Sequence, residues 1–279
     1  MSEGASNEGK AEGGVHAAKA SGKARTAFKV SFLGMGYVGL TTAACFASRG
    51  IRVVGYDVDS ARIEALRKGS LPFYEPGLKE LLEASRGNLT FTDDPSLLKG
   101  SDFAFITVGT PSREDGSIDL RYVRSAARTA GENLSEGKRE IIVVKSTVVP
   151  GTTMGAVREE AEAGSGRKFP AFGLASNPEF LKEGSAVQDT FHPDRLVIGE
   201  SDKEAGEALL SLYEAFFGAS EEREGGKEGK GKGKGAGTGK EGEGREAKAL
   251  PPLVRTTPEN AEMIKYANNS FLAMKVSFA

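Results

Sequence analysis

Three glycines near the start of the chain have the spacing of a phosphate-binding turn. Gly34, Gly36 and Gly39 form the pattern G-x-G-x-x-G between an apolar run at residues 28–33 and a helical pattern at residues 40–48. In this setting the first glycine permits a tight turn, the second lets the backbone approach a diphosphate, and the third allows the helix to pack on the strand. Free amides at the helix N-terminus favour the negative charge. The pattern therefore predicts a dinucleotide site.

A carboxylate follows the second predicted strand, eighteen residues after the last of these glycines. Asp57 comes directly after the run Arg52–Tyr56 and is placed to bind both ribose hydroxyls of a dinucleotide. Its charge would repel a 2′-phosphate, so we expect the cofactor to be NAD rather than NADP. Arg62 lies five residues further on, where it could lean over the adenosine or simply extend into solvent from the next helix.

Two further pairs of polar residues have spacings suited to acid–base chemistry. Glu179 and Glu183 are four residues apart, so they would share one face if their segment is helical. A carboxylate in a water-poor crevice can act as a general base. Lys265 and Asn269 are also four apart, and their ammonium and amide groups could stabilise an alkoxide or a tetrahedral oxyanion. The alternatives are that the glutamates only favour a helix dipole and that Lys265 and Asn269 only face solvent.

The single cysteine is not expected to act as a nucleophile. Cys45 lies within the run Thr41–Ala47 of the first predicted helix, which should pack against a sheet. Free cysteine is among the most buried residue types, so we expect a core position. One cysteine also excludes an internal disulfide, and with only two histidines we expect no metal site.

A sheet covered by helices must position these groups. Short runs rich in Val, Ile and Phe alternate with helical stretches, which predicts a Rossmann-type, doubly wound α/β fold with a parallel sheet. Ser201 and Glu204 have the spacing of a capping box. Asp94 and Thr257 each precede a proline that can occupy the first turn of a helix. The predicted strands are residues 28–33, 52–56, 89–92, 103–108, 141–146, 171–176 and 196–199.

Two segments lack the composition of a packed domain. Residues 1–27 and 221–249 are rich in Gly, Lys and Glu and contain almost no large apolar side chain, so we expect both to be disordered. The second segment is nearly neutral, which favours a flexible loop, with an arm that touches a polyanion as the alternative. The predicted domains are a tail at 1–27, a cofactor domain at 28–218, a low-complexity loop at 219–252 and the start of a long helix at 253–279.

Charge and hydropathy argue against several classes of protein. Thirty-seven Lys and Arg against thirty-nine Asp and Glu leave a formal net charge of −2, so we expect no nucleic-acid partner. The sequence has no run of eighteen apolar residues, so we expect no membrane span. It also has no apolar stretch typical of a secretory signal. These features predict a soluble, cytoplasmic protein.

Five further segments, taken together, carry a family resemblance. Three of them follow predicted strands, at the edge where open α/β sheets bind ligands. With the glycine turn they resemble the UDP-glucose/GDP-mannose dehydrogenase family over about residues 28–218 and 253–278. The first of the five and the stretch Phe191–Arg195 are most similar to the members that oxidise UDP-glucose. The five segments are Leu71–Leu78, Val108–Ser112, Lys145–Thr152, Asn177–Gly184 and Glu262–Ala273.

The resemblance implies an NAD-dependent enzyme that oxidises the primary alcohol of a nucleotide sugar to a carboxylate, with UDP-glucose giving UDP-glucuronate as a precursor for polysaccharides. In the family a cysteine traps the intermediate aldehyde, two hydrides leave in succession, and water cleaves the resulting thioester. That cysteine belongs to a carboxyl-terminal nucleotide-sugar domain, which we do not expect in a chain that ends at Ala279. We therefore expect this chain by itself to bind NAD without oxidising UDP-glucose.

The resemblance also implies a role for individual residues. Thr147 would help to orient catalytic water, Glu179 would be the general base for thioester hydrolysis, and Glu183 would contact the cofactor. The glycine turn would contribute Gly34, Met35, Gly36, Tyr37, Val38 and Gly39. The nicotinamide side would be lined by Val108, Gly109, Thr110, Pro111, Ser112, Ser146, Thr147 and Val148. The nucleotide sugar would be bound by Glu179, Phe180, Leu181, Lys182, Glu183, Lys265 and Asn269.

The final helix would correspond to the family's central connector and dimer contact, which implies a homodimer for the full-length protein. Ile264, Phe271, Leu272 and Val276 would be partly exposed without a second domain, so we expect this chain to associate or aggregate. Three alternative functions stay open. The chain could be an NAD-binding remnant without turnover, a UDP-N-acetylmannosamine or GDP-mannose dehydrogenase, or a hydroxyacyl or 6-phosphogluconate type of dehydrogenase, which the Asn177–Glu183 motif disfavours.

Overall fold

The computed structural model describes residues 28–218 and 250–279. They form one sheet of eight strands in the order β3-β2-β1-β4-β5-β6-β7-β8. The strands β1 to β6 are parallel, β7 is antiparallel to β6, and β8 is parallel to β7. The strands are β1 (Lys29–Leu33), β2 (Arg52–Tyr56), β3 (Leu89–Thr92), β4 (Phe103–Ile106), β5 (Ile141–Val144), β6 (Gly173–Ser176), β7 (Leu196–Glu200) and β8 (Leu253–Thr256).

Helices flank both faces of this sheet, which confirms the doubly wound α/β prediction. A 3₁₀ turn (Pro95–Leu98) and a π turn (Thr153–Val157) complete the helical structure of the described residues. The α-helices are α1 (Tyr37–Ser48), α2 (Ser60–Arg67), α3 (Leu78–Ser85), α4 (Arg121–Glu132), α5 (Arg158–Ser165), α6 (Ala186–Phe191), α7 (Lys203–Gly218) and α8 (Pro258–Phe278).

The expectation of an entirely parallel sheet is wrong at one edge. Residues 177–195 stay at the carboxyl edge of the sheet, where α6 contacts α1, so the chain re-enters as β7 in the opposite direction. The strand β8 was not predicted from the sequence. It is a short edge strand in which Leu253 and Val254 are exposed. A prediction that looks for runs of buried apolar residues therefore misses it.

Two of the three predicted helix caps are confirmed. The Asp94 side chain accepts a hydrogen bond from Ser96 N, and Thr257 accepts one from Asn260 N. The predicted capping box at Ser201 is wrong. Because α7 begins at Lys203, the residue that directly precedes the helix is Asp202 and not Ser201. Asp202 caps the helix instead, with its Oδ1 accepting from Ala205 N at 3.0 Å.

The core lies on both faces of the sheet. On one face α1 and α7 enclose stacked rings, with 5.0 Å between the centroids of Phe32 and Phe105 and 4.6 Å between those of Phe46 and Phe216. Cys45 belongs to this layer and is completely buried, which confirms its core assignment. Burial raises the pKa of its thiol to about 12, so Cys45 is not a thiolate near neutral pH.

The long helix α8 has one docked end and one exposed end. Near its start Ala261, Glu262 and Lys265 are buried against the sheet, whereas Phe271 and Val276 are 56% and 79% exposed. The predicted exposure of apolar residues on this helix is therefore confirmed. Among the helices of the described residues, none combines the length and apolarity needed to cross a bilayer. The predicted disorder of residues 1–27 and 221–249 lies outside the described residues.

Candidate cofactor and acid–base site

The glycine turn between β1 and α1 has the geometry that its spacing predicts. Gly34 has a φ of +106°, which favours glycine. A Cβ on Gly39 would lie 1.9 Å from the carbonyl oxygen of Gly34, so only glycine allows this close packing of helix and turn. A Cβ on Gly36 would meet no atom of the described residues within 4 Å. The space in front of the α1 N-terminus is therefore open and fits a diphosphate.

Asp57 lies at the end of β2, directly beside the glycine turn. Its Oδ2 accepts hydrogen bonds from Met35 N at 2.7 Å and from an Arg62 guanidinium nitrogen at 2.8 Å, and its Oδ1 accepts from Asp59 N at 3.0 Å. Arg62 thus turns toward the site instead of simply extending into solvent. Met35 itself is buried in the core and contributes only its main chain here.

These groups open onto a cleft of about 500 Å³. Val58 and Tyr122 contribute exposed apolar surface that suits a flat adenine ring. Neither was predicted from the sequence, because the cleft that brings them together depends on how α4 packs against β4. The predicted residues that line the cleft are Gly34, Gly36, Asp57, Arg62, Val108 and Gly109, and further lining residues are Val58, Tyr122, Ser125, Ala126 and Thr129.

The loops after β4 and β5 are tied together next to this cleft. Ser146 Oγ donates to the Val108 carbonyl at 2.6 Å, and Thr110 Oγ1 donates to the Thr147 carbonyl at 2.9 Å. The prediction for Val148 is wrong for its side chain, which is 2% exposed and packs in the core below the loop. A second cleft of about 220 Å³ continues from here, lined by Thr110, Ser112, Gly116, Ile118, Thr147, Tyr266, Asn269 and Ser270.

An ion pair joins the loop after β6 to α8. Lys265 Nζ lies 2.9 Å from Glu179 Oε1, and both side chains are largely buried. The solvated alternative for Lys265 is therefore wrong. Asn269, one turn later, is exposed and lines the smaller cleft, so the two residues face different neighbours.

The predicted helical pairing of Glu179 with Glu183 does not occur. Glu179 Oε2 accepts from Leu181 N at 2.6 Å, and Gly184 has a φ of +86°, so the chain forms a turn rather than a helix. Glu183 is exposed, and its charge acts on Tyr37 at the start of α1. The two carboxylates are therefore directed to different parts of the site.

A buried polar network lies beside the ion pair and was not predicted. Lys145 Nζ donates to Asn177 Oδ1 at 3.0 Å, and the Tyr213 hydroxyl donates to the same oxygen at 2.5 Å. Burial lowers the pKa of Lys145 to about 8, while the charge of Glu179 acts in the opposite direction. Lys145 is therefore still mostly protonated at neutral pH and adds positive charge near Glu179.

Two other contacts hold the loop and helix that form this cluster. The Arg195 guanidinium lies 4.0 Å from the centroid of the Phe180 ring and donates to Asn268 Oδ1 at 3.1 Å. Glu262 of α8 accepts from Gly151 N at 2.6 Å and Thr153 N at 2.8 Å, just after the loop that carries Thr147. Buried contacts thus fix α8 relative to Thr147.

The sheet, the glycine turn and the acidic residue after β2 define an NAD-binding domain of the Rossmann type. A sequence profile of the UDP-glucose/GDP-mannose dehydrogenase family, NAD binding domain, matches residues 28–217. The chain belongs to this family, which confirms the resemblance and NAD as the cofactor. The hydroxyacyl or 6-phosphogluconate alternative is therefore wrong.

Enzymes with two different substrates are similar to this chain. It is 40% identical to UDP-glucose 6-dehydrogenase TuaD of Bacillus subtilis, over 90% of this chain and 47% of that protein. It is 38% identical to GDP-mannose 6-dehydrogenase of Pseudomonas aeruginosa, over 90% of this chain and 51% of that protein. A solved UDP-glucose dehydrogenase of Pyrobaculum islandicum matches with a TM-score of 0.75 and 41% identity, over 91% and 52% of the two chains. This chain spans about half the length of these relatives.

Proposed function

We propose that this chain forms the NAD-binding half of a nucleotide-sugar 6-dehydrogenase that converts UDP-glucose to UDP-glucuronate. The observation that carries the proposal is the buried Glu179–Lys265 ion pair at the carboxyl edge of the sheet that also forms the NAD cleft. Family membership supports a nucleotide-sugar substrate. UDP-glucose is favoured over GDP-mannose and UDP-N-acetylmannosamine by the Leu71–Leu78 and Phe191–Arg195 stretches.

The residues present fit NAD. The open space in front of Gly36 would take the diphosphate, and Asp57 would bind the ribose of the adenosine. A carboxylate at this position disfavours a 2′-phosphate, which selects NAD over NADP. When bound, NAD⁺ supplies the hydride acceptor for alcohol oxidation.

The acid–base cluster can handle the protons and charges of the reaction. Glu179 would take a proton from attacking water, which the Thr147 hydroxyl would help to orient. The Lys265 ammonium, with the Asn269 amide one turn later, would donate hydrogen bonds to the oxyanion that forms on the substrate. Cys45 cannot be the thiol that this family's chemistry requires, because it is buried and protonated. A second polypeptide segment must therefore supply the thiol.

Calorimetry and a coupled activity assay test the proposal. The purified chain should bind NAD⁺ and should not produce NADH from UDP-glucose by itself. Joined to the carboxyl-terminal half of the Bacillus subtilis relative, it should produce NADH from UDP-glucose, and Glu179→Gln or Lys265→Met should abolish that activity. The proposal is wrong if the joined protein is folded and binds NAD⁺ but does not oxidise UDP-glucose, or if its activity survives the Glu179→Gln substitution.

We also infer that copies of the chain associate through the exposed apolar residues of α8, including Phe271, Leu272 and Val276. Light scattering of the purified chain should show dimers or larger species. A Phe271→Ser, Val276→Ser double variant should reduce them, while a monodisperse monomer for the parent chain would contradict this inference.

A further inference from the structure

The carboxylate of Glu75 is buried where three segments, distant in the sequence, meet. Its Oε2 accepts hydrogen bonds from the Tyr37 hydroxyl at 2.5 Å and from Gly184 N at 3.0 Å, and its Oε1 accepts from Val187 N at 3.2 Å. Glu75 is 3% exposed, so its carboxylate itself lies away from water. Charged acceptors of this kind make strong hydrogen bonds, which makes Glu75 a rigid junction.

The first contact connects Glu75 to the cofactor turn. Tyr37 is the first residue of α1, the helix whose N-terminus faces the space for the diphosphate. Its ring packs on Phe73, with 4.8 Å between the centroids, and Phe73 lies two residues before Glu75. Burial and the hydrogen bond to Glu75 raise the pKa of Tyr37 to about 12, so its hydroxyl remains a donor at all physiological pH values.

The other contacts connect Glu75 to the loop after β6. The Tyr37 oxygen lies 3.3 Å from the Lys182 carbonyl oxygen and accepts from Gly184 N at 3.1 Å. Glu183 lies between these two residues, so its main chain is held on both sides while its side chain is exposed. The loop that carries Glu183 is therefore fixed relative to α1 by Glu75 and Tyr37 together.

We infer that Glu75 is a positioning residue that holds the main chain around Glu183 against the start of α1 and thereby couples the cofactor turn to the loop after β6. The inference rests on the proposed function, because an effect of Glu183 on NAD⁺ binding requires the cofactor contact that the family resemblance implies for this residue. The inference gives the Leu71–Leu78 stretch a role beside the glycine turn, although this stretch contributes no lining residue to the NAD cleft.

A purely structural role for Glu75 is the alternative, and Glu140 provides a matched control. Glu140 is also 3% exposed and accepts from Ser135 N at 2.7 Å and Ser135 Oγ at 3.1 Å. It precedes β5, at the amino edge of the sheet, opposite the ligand cleft. Glu140→Gln should lower the thermal stability and leave the NAD⁺ affinity within about twofold of the parent.

The test is calorimetric titration of the full chain with NAD⁺, on the parent and on the variants Glu75→Ala, Glu75→Gln, Glu183→Ala and Glu75→Ala with Glu183→Ala. We expect Glu75→Ala and Glu183→Ala each to weaken NAD⁺ binding by about tenfold, the size of one lost charged hydrogen bond. Since Glu75 acts through Glu183, the double variant should bind about as well as the weaker single variant. Glu75→Gln, which keeps the volume, should have an intermediate affinity.

Three results would overturn the inference, each in a recognisable way. Folded Glu75 variants with parental affinity would leave Glu75 only a structural role. Additive losses in the double variant would show that Glu75 acts elsewhere than through Glu183. If Glu75→Ala does not fold, Glu75→Gln decides by the same criteria. A parent chain that does not bind NAD⁺ would refute the cofactor assignment as well, whereas a parent that binds NAD⁺, combined with either of the first two results, would refute the positioning role alone.

Discussion

The NAD cleft and the acid–base cluster lie at the same edge of one sheet but are assembled differently. The cleft is built mainly from segments close in sequence, since Gly34, Gly36 and Asp57 fall within one strand–helix–strand unit. The cluster joins Lys145, Asn177, Glu179 and Lys265, which come from the loops after β5 and β6 and from α8. Its side chains are positioned by long-range buried contacts, whereas those of the cleft are positioned by a local turn.

The difference shows where each region is vulnerable. In the cleft, backbone geometry carries the function, because glycines create the open space at the helix N-terminus. In the cluster, paired charges carry it, and each charge depends on a partner from another element. We therefore expect a substitution in one region to leave the other region largely intact.

Removing the ammonium of the ion pair should have the largest effect. Lys265→Met leaves the Glu179 carboxylate buried without its partner, which should lower the free energy of unfolding by about 3 kcal/mol, measured by urea denaturation. The NAD⁺ affinity should change by less than about twofold, since the cleft does not include Lys265. Lys275→Met, on the exposed end of the same helix, serves as the control. A large loss of NAD⁺ affinity would contradict the independence of the two regions.

The reciprocal change is in the cleft. Asp57→Ala should weaken NAD⁺ binding by about a hundredfold, because the ribose loses a charged acceptor and Met35 N loses its partner. Unchanged calorimetric affinity would refute the ribose assignment. The Glu179–Lys265 pair should remain intact, so Lys265 should stay protected from acylation, as detected by mass spectrometry.

The pH dependence of the free energy of unfolding tests the protonation of Lys145. Its pKa in the folded chain, about 8, is below the ordinary lysine value of 10.5, so the unfolded chain binds more protons between these values. Stability from this group therefore rises with pH from about 8 to about 10.5, by up to about 3 kcal/mol. Urea denaturation from pH 7 to pH 10 should show this rise in the parent relative to Lys145→Met. Parallel curves for the two proteins would show that Lys145 does not titrate in this way.

Loosening α8 should have the smallest effect. Glu262→Gln replaces one of the two acceptor oxygens facing Gly151 and Thr153 by a donor, which should cost about 1 to 2 kcal/mol of local stability. Amide hydrogen exchange at Gly151 and Thr153 should accelerate about tenfold, while residues 29–33 and 52–56 stay protected. Glu259→Gln, in the first turn of the same helix, is the control. Equal acceleration in the control would remove the special role of Glu262.

The sequence predicted the cleft better than the cluster for a physical reason. A turn between strand and helix depends on neighbouring residues, so the roles of Gly34 and Gly39 could be derived from their spacing. The pairing of Glu179 with Lys265 could not, because helical periodicity compares residues only within one element. The shared helix face suggested for Glu179 and Glu183 depended on a helical segment, and this segment forms a turn instead.

By itself, the sequence determined the alternation of strands and helices, the glycine turn with its carboxylate, and the core position of Cys45. All three depend on local pattern or on a residue type's preference for burial. The tertiary structure alone decided that β7 reverses direction, that Lys265 is buried against Glu179, and that Glu75 joins Tyr37 to the Gly184 loop. These features require segments far apart in the chain to meet, and that meeting is determined by packing rather than by any short stretch of residues.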